Sequence, residues 1–436
     1  MAAPVPGLEQ ILEEPQTYDH VRHKIHGLRL SNARALASSS RSSATEDVGT
    51  LIPKLPDSVA LHCLARVPRS ALPLLRCVCR SWNRALSTNT RDIASVRREI
   101  GTAEPWIYLS FSPRGDCIQS QRSSNYFTAF DPGSNQWHSV GWLPGLERLE
   151  VLKGYGCVGL GGKLYVLGGT LCIKERDFGG GCHRDLRVRS EVLAYDCIGG
   201  RWKQCASMRK ARVDFACSVS GGRVFVAGGR GRLDHENAAA MASAEVYIPE
   251  LDRWEELPDM SITRYKCVGV TLKGKFFVIG GYTIETLHRS SVEIYDPSER
   301  RWERRPGMWA LDIPPYEVVE LQGKLYRSGD QLNHWRGSID VYDERLKMWK
   351  TIRGSNRRLG EDLQCTVRRY VTMAGIDSYL LFFGGHCRVG DRSGDHRPFC
   401  LETVDAFQAP VGRWCGLDPF RSSCRELCSS CCVVTA

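Results

Sequence analysis

A tryptophan closes each of six similar segments, at Trp137, Trp202, Trp254, Trp302, Trp349 and Trp414, with intervals of 65, 52, 48, 47 and 65 residues. Ahead of it, five segments carry an apolar run, in most cases ending in Gly-Gly, then a variable loop and a second run that ends at a Tyr-like position. Examples are "KLYVLGG…SEVLAYDCIGGRW", "RVFVAGG…SAEVYIPELDRW" and "KFFVIGG…SVEIYDPSERRW". A weaker first copy reads "WIYLSF…NYFTAFDPGSNQW". Runs such as Lys163 to Gly169 are too short for helices, and their β-branched and aromatic residues suit a strand buried on both faces. Further runs precede them ("FACSVSGG", "CVGVTLKG", "EVVELQG"), which makes four strands per unit. No such unit can bury both its faces alone, so the units must stack on one another.

Four-stranded units near a 50-residue period predict a β-propeller, and the Gly-Gly, Tyr and Trp marks resemble the kelch repeat. Gly168-Gly169, Gly228-Gly229, Gly280-Gly281 and Gly384-Gly385 are expected to admit close backbone approach, and each Trp to open an outer strand. The fourth full unit departs from the pattern, with "RSGD" in place of Gly-Gly. The first unit lacks one strand, while 22 residues remain after Trp414 and end in "CCVVTA". That ending is expected to supply the innermost strand of the first blade, giving six complete blades and no open edge. A zinc site at Cys424, Cys428, Cys431 and Cys432 is disfavoured, because adjacent cysteines on a strand point to opposite faces.

Residues 51–87 carry a different signal. Asp57 or Ser58 can cap a helix with Val59, Ala60, Cys63, Leu64 and Val67 on one stripe, and Pro73 fits the start of a second helix bearing Leu74, Leu75, Val78 and Trp82. About forty such residues bury too little surface to fold alone, so part of their apolar face must meet a partner or the propeller. "LPDSVALHCLARVP…LLRCVCRSW" resembles an F-box, with Leu55, Pro56, Asp57, Val78, Cys79, Arg80 and Trp82 in the expected order. The chain is thus read as a segment 1–50, Ser/Ala-rich and expected to be disordered, an F-box over 51–97 and a mainly β, six-bladed propeller over 98–436.

Taken together the chain resembles the plant F-box/kelch-repeat proteins. The resemblance implies a substrate-recognition subunit of a Skp-cullin-F-box ubiquitin ligase, without catalytic residues or cofactor of its own. It implies a Skp-family adaptor bound through Leu55, Pro56, Val59, Leu64, Val78 and Trp82, with cullin and RING protein beyond it, and a protein substrate on the propeller. A propeller enzyme of the copper-oxidase kind and a kelch scaffold are the alternatives. The net charge is +10, and +6 of it falls within residues 51–100. No stacking aromatics interleave that charge, which favours an acidic protein partner over nucleic acid.

For the substrate, the long loops Thr170 to Arg189, Arg230 to Ser243 and His386 to Cys400 lie on the face that also carries the blade connections. Arg230, Arg232, Arg388 and Arg392, with Arg212 and Arg264 on connections, are the candidate rim that reads an acidic or phosphorylated segment. "GYGCVG", Gly154 to Gly159, matches a dinucleotide fingerprint but precedes a strand rather than a helix, so its glycines are expected to relieve crowding near the axis. His386, Cys387, His396 and Cys400 fit no common zinc module. No apolar stretch can span a membrane and the start is acidic, so a cytoplasmic or nuclear protein is expected, its 19 cysteines mostly unpaired.

Overall fold

A computed structural model describes residues 50–87, 93–113, 125–147, 149–174, 183–233, 240–283, 289–309, 317–328, 338–355, 366–388, 403–417, 425–427 and 431–436. The expected disorder of residues 1–50 therefore falls almost wholly outside the described residues. Compactness divides the chain after Ala60, into Met1–Ala60 and Leu61–Ala436. Among the described residues no helix is long and apolar enough to cross a membrane.

Among the described residues the larger unit contains six antiparallel sheets of four or five strands and one smaller three-stranded sheet. In the second to sixth, four strands lie in chain order from inner to outer edge, as in Ala216–Ser220, Arg223–Ala227, Ala244–Ile248 and Arg253–Leu257. The second strand of each is the apolar run. In Arg223–Ala227, Val224, Val226 and Ala227 are fully buried and Phe225 is nearly so. A strand covered by a sheet on each side needs such continuous apolarity, and each large side chain buried in this way contributes roughly 1.5–3 kcal/mol.

The repeated Tyr and Trp meet across the outer pair of strands. Tyr195↔Trp202, Tyr247↔Trp254, Tyr295↔Trp302 and Tyr342↔Trp349 are directly opposed, and Phe130↔Trp137 and Phe407↔Trp414 fill the same places. In four of the six the indole N–H also reaches the preceding unit. Trp254, Trp302, Trp349 and Trp414 donate to the carbonyls of Ala206, Pro258, Met308 and Ser355 at 2.7–2.9 Å. One residue type thus fills the gap between sheets and ties down the connection between them.

The first sheet is completed from the other end of the chain. Cys432–Thr435 pairs antiparallel with Pro105–Pro113, in the register Trp106↔Val434 and Tyr108↔Cys432, as the missing strand required. A second short strand, Arg425–Leu427, extends the pairing toward Phe111. Ile107, Leu109, Phe111 and Phe130 of this sheet pack on Ala374, Leu381, Phe383 and Val404 of the sixth, so the packing runs on from the last sheet to the first.

Two details differ from expectation. The stretch after Gly169 is not a plain loop, because Thr170–Lys174 and His183–Val188 form a three-stranded side sheet with Glu150–Lys153. Gly228 (φ +70°) and Gly229 (φ +88°) do sit where a Cβ would lie 2.7 Å from the carbonyl oxygens of Arg264 and Val213. Gly384 and Gly385, in contrast, continue the ten-residue strand Tyr379–Arg388 opposite Tyr370 and Arg369, so they do not repeat that device. The fifth sheet keeps four strands despite "RSGD". There Arg327 is buried against Asp340 at 3.0 Å and lies over Trp309 and Trp349 at 4.6 and 4.7 Å.

Candidate functional site

The helical segment begins at Asp57–Ala65, where the Asp57 carboxylate accepts from the Leu51 amide at 2.9 Å. The expected second helix is broken in two, Leu72–Leu75 and Arg80–Ser87. Cys79 explains the restart. Its sulfur accepts from the Trp82 amide at 3.4 Å and lies 3.1 Å from the Ser81 hydroxyl, capping the new helix. Those hydrogen bonds, Ser81 foremost, lower the pKa of the Cys79 thiol.

Of the six expected adaptor contacts, Leu55 (37 % exposed), Val59 (45 %) and Val78 (61 %) carry exposed apolar side chains. Pro56 is exposed and Trp82 half-buried. Leu64 is a correction. It is only 3 % exposed and belongs to the core, whereas Leu74, which was not among the six, is 62 % exposed. Helical spacing alone could not separate these two leucines, since each lies on an apolar stripe.

Part of the basic charge in this segment is structural rather than free for a partner. Arg97 is fully buried and donates to the carbonyls of Ala65 (2.8 Å), Val67 (2.6 Å), Thr102 (2.6 Å) and Ala436 (3.3 Å) and to Glu104 (2.9 Å). Arg69, also buried, lies 4.2 Å over the Trp106 ring and donates to the Tyr108 hydroxyl and the Cys197 carbonyl. Arg76 donates to the Gly199 carbonyl. These contacts fasten residues 65–76 to the first and second sheets, and their only trace in the sequence is the basic excess of residues 51–100.

On the rim the arginines separate into two kinds. Arg212 and Arg264 are fully buried, which corrects their assignment to a substrate surface. Arg212 donates to Glu245 at 2.8 Å, to the Gly228 and Ser243 carbonyls at 2.9 and 2.8 Å, and to the Ser243 hydroxyl at 3.0 Å. Arg264 repeats this one blade on, with the Gly280 and Ser291 carbonyls, the Ser291 hydroxyl and Glu293. Both bond carbonyls at the ends of the Gly-Gly turns, so their guanidinium groups serve the fold. Burial lowers the pKa of each guanidinium, and the paired glutamate opposes the shift.

Arg230 and Arg232 remain at the surface. Arg230 is partly exposed, pairs with Asp214 at 2.8 Å and lies 5.1 Å over Tyr265; Arg232 is exposed. The buried Tyr265 packs at a tilt against Tyr282, their ring centres 5.4 Å apart, and Lys266 and Arg289 lie 5.8 and 5.1 Å over Tyr282. Lys266 is exposed and holds a left-handed backbone (φ +52°), an uncommon conformation for a residue with a Cβ. This run of cations and tyrosines over the third and fourth sheets is the surface that sequence reasoning missed in part. The side chain of Arg388 and all of Arg392, His396 and Cys400 lie outside the described residues, as do Cys424 and Cys428.

The inner strands surround a cavity of about 490 Å³. Gly156 and Gly159 line it, and a Cβ on Gly156 would lie 2.8 Å from the Cys217 sulfur while one on Gly159 would overlap the Val433 carbonyl oxygen. The glycines of "GYGCVG" therefore relieve crowding between strands. Among the described residues no group of three or more His, Cys, Asp or Glu side chains is placed to hold a metal ion.

Comparison with known proteins agrees with this architecture. Residues 52–93 match the F-box domain, and residues 211–261 and 263–308 match the kelch motif. An Arabidopsis thaliana F-box/kelch-repeat protein is 31% identical over 75% of this chain and 79% of its own length. A second from that plant is 31% identical over 62% of this chain and 66% of its own length, and a third 26% identical over 89% and 98%. The chain belongs to the plant F-box/kelch-repeat family. Its F-box indicates binding to a Skp-type adaptor.

Proposed function

We propose that the chain is the substrate-recognition subunit of a Skp-cullin-F-box ubiquitin ligase, acting in the cytoplasm or nucleus. The helical segment binds the Skp-family adaptor, and through it the cullin and the RING protein that brings the ubiquitin-loaded enzyme. The propeller holds the protein to be ubiquitinated, and the chain itself transfers nothing. One observation carries the reading: Leu74 and Val78 stay more than 60 % exposed in a segment that Arg69, Arg76 and Arg97 fasten to the sheets. Exposed apolar side chains on an otherwise fastened element mark a partner surface.

The substrate surface is proposed to be the patch of Arg230, Arg232, Lys266 and Arg289 with Tyr265 and Tyr282. Its charge suits an acidic or phosphorylated segment.

The test is adaptor binding by the folded full-length chain, wild type beside Val78→Asp and Leu55→Ala/Pro56→Ala. Loss of a buried apolar anchor should weaken binding by at least tenfold, since hot-spot side chains contribute about 2 kcal/mol or more. Equal binding by wild type and variants would remove the adaptor surface from these residues. Substrates captured by wild type but not by Arg232→Glu/Lys266→Glu would place recognition on the patch, and unchanged capture would move it elsewhere.

A further inference from the structure

We propose that Cys157 and Cys432 are an oxidisable thiol pair that forms a reversible disulfide, latching the strand that completes the first sheet to the inner strand of the second. The two sulfurs lie 3.4 Å apart, although the residues are 275 apart in sequence. Cys157 belongs to Gly156–Leu160 and Cys432 to Cys432–Thr435, strands of different sheets. Gly159 is what lets them meet, because any side chain there would overlap the Val433 carbonyl oxygen. A disulfide has its sulfurs about 2.05 Å apart, so the pair needs a closure of little more than an ångström. The thiols also have access to reagents. Both line the 490 Å³ cavity, and Cys157 is only half-buried.

The neighbouring thiols are less well placed. Cys431 is held by the Thr372 hydroxyl and donates to the Met373 carbonyl. Cys217 lies on a third strand, Ala216–Ser220.

With a peroxide as oxidant the electrons balance in two steps. The Cys157 thiolate attacks one peroxide oxygen, the O–O bond breaks, and the products are a sulfenic acid at Cys157 and, after protonation, water. The Cys432 thiolate then attacks the Cys157 sulfur, the S–O bond breaks, and hydroxide leaves as a second water. Two thiols are oxidised by two electrons and one peroxide is reduced. Burial pushes the Cys432 thiol well above its ordinary value, so the second step is slow at neutral pH and quickens as pH rises. Once formed, the latch spans nearly the whole ring of sheets, and closing so long a loop should raise the melting midpoint by about 5 °C.

The experiment treats the folded full-length chain with hydrogen peroxide at pH 7.5, alkylates the remaining thiols, and maps disulfides by non-reducing digestion and mass spectrometry. The expected result is a Cys157–Cys432 cross-linked peptide, a higher melting midpoint, and reversal of both by dithiothreitol. Cys157→Ser should abolish both effects, and Cys415→Ser should leave both intact. Should a cysteine variant fail to fold, joint loss of Cys157 and Cys432 alkylation in oxidised wild type gives the same readout. A Cys157–Cys217 link, over-oxidation of Cys157 without a link, or a link that appears only after denaturation would each overturn the proposal.

Discussion

Arg212 and Arg232 stand twenty positions apart and carry the same charge, yet the first is sealed in the fold and the second faces solvent. Replacing Arg212 by Ala leaves Glu245 buried beside the freed Gly228 and Ser243 carbonyls. Removal of one member of such a buried pair costs about 3–5 kcal/mol, so chemical denaturation should show a loss of that size. Arg232→Glu should change stability by less than about 0.5 kcal/mol, as exposed substitutions do. A small effect at Arg212 would mean that water replaces its five donors. The distinction was open to a closer reading of the sequence. "ARVDF" and "TRYKC" recur at matching places in two units, as do "SAEVY" and "SVEIY", and an Arg and a Glu that recur together suit a repeated internal bond. Exposed residues that read one substrate have no reason to repeat. Leu64 and Leu74 were beyond such reasoning, because only tertiary packing decides which of two apolar stripes is covered.

At the scale of the element, strands were legible wherever burial on two faces forces an unbroken apolar run, and the missing inner strand of the first unit pointed to "CCVVTA". Breaks were less legible. The helix stops after Leu75 and restarts at Arg80 because a cysteine sulfur serves as its cap, a role that cap preferences do not assign to cysteine. Gly384 and Gly385 resemble the turn glycines of other units but lie in a strand that runs on to Arg388. The closing strand has its own requirement. Gly159→Ala would push the Val433 carbonyl and with it the whole of Cys432–Thr435, whose Val434 packs among Trp106, Phe127 and Leu164. The expected cost is about 1–3 kcal/mol, typical of overpacking. Hydrogen exchange should then quicken in Cys432–Thr435 before other inner strands. Uniform exchange across all six sheets would show that this strand does not open on its own.

For the whole molecule, the sequence suggested a joint near residue 97, where helices give way to strands, while compactness divides the chain after Ala60. The reason lies in residues that join the two kinds of structure. Arg97 binds the carbonyls of Ala65 and Val67 on one side and of Thr102 and Ala436 on the other, and Glu104 accepts from both the Arg97 side chain and the Arg69 amide. Trp106 and Tyr108, at the start of the first sheet, are covered in turn by the Arg69 guanidinium. A chain begun at residue 98 would keep all six sheets but lose every one of these contacts, and would leave Trp106 and Tyr108 partly uncovered. Such a propeller should therefore unfold at a lower temperature than one begun at Leu61, by about 5 °C or more if only 3–5 kcal/mol of buried arginine bonding is lost. Intrinsic fluorescence during a thermal ramp would report the change through Trp106. Equal midpoints for the two chains would mean that the helical segment rests on the propeller without supporting it. A lower midpoint would make residues 61–97 and the six sheets parts of one cooperative structure, unfolding together rather than in turn.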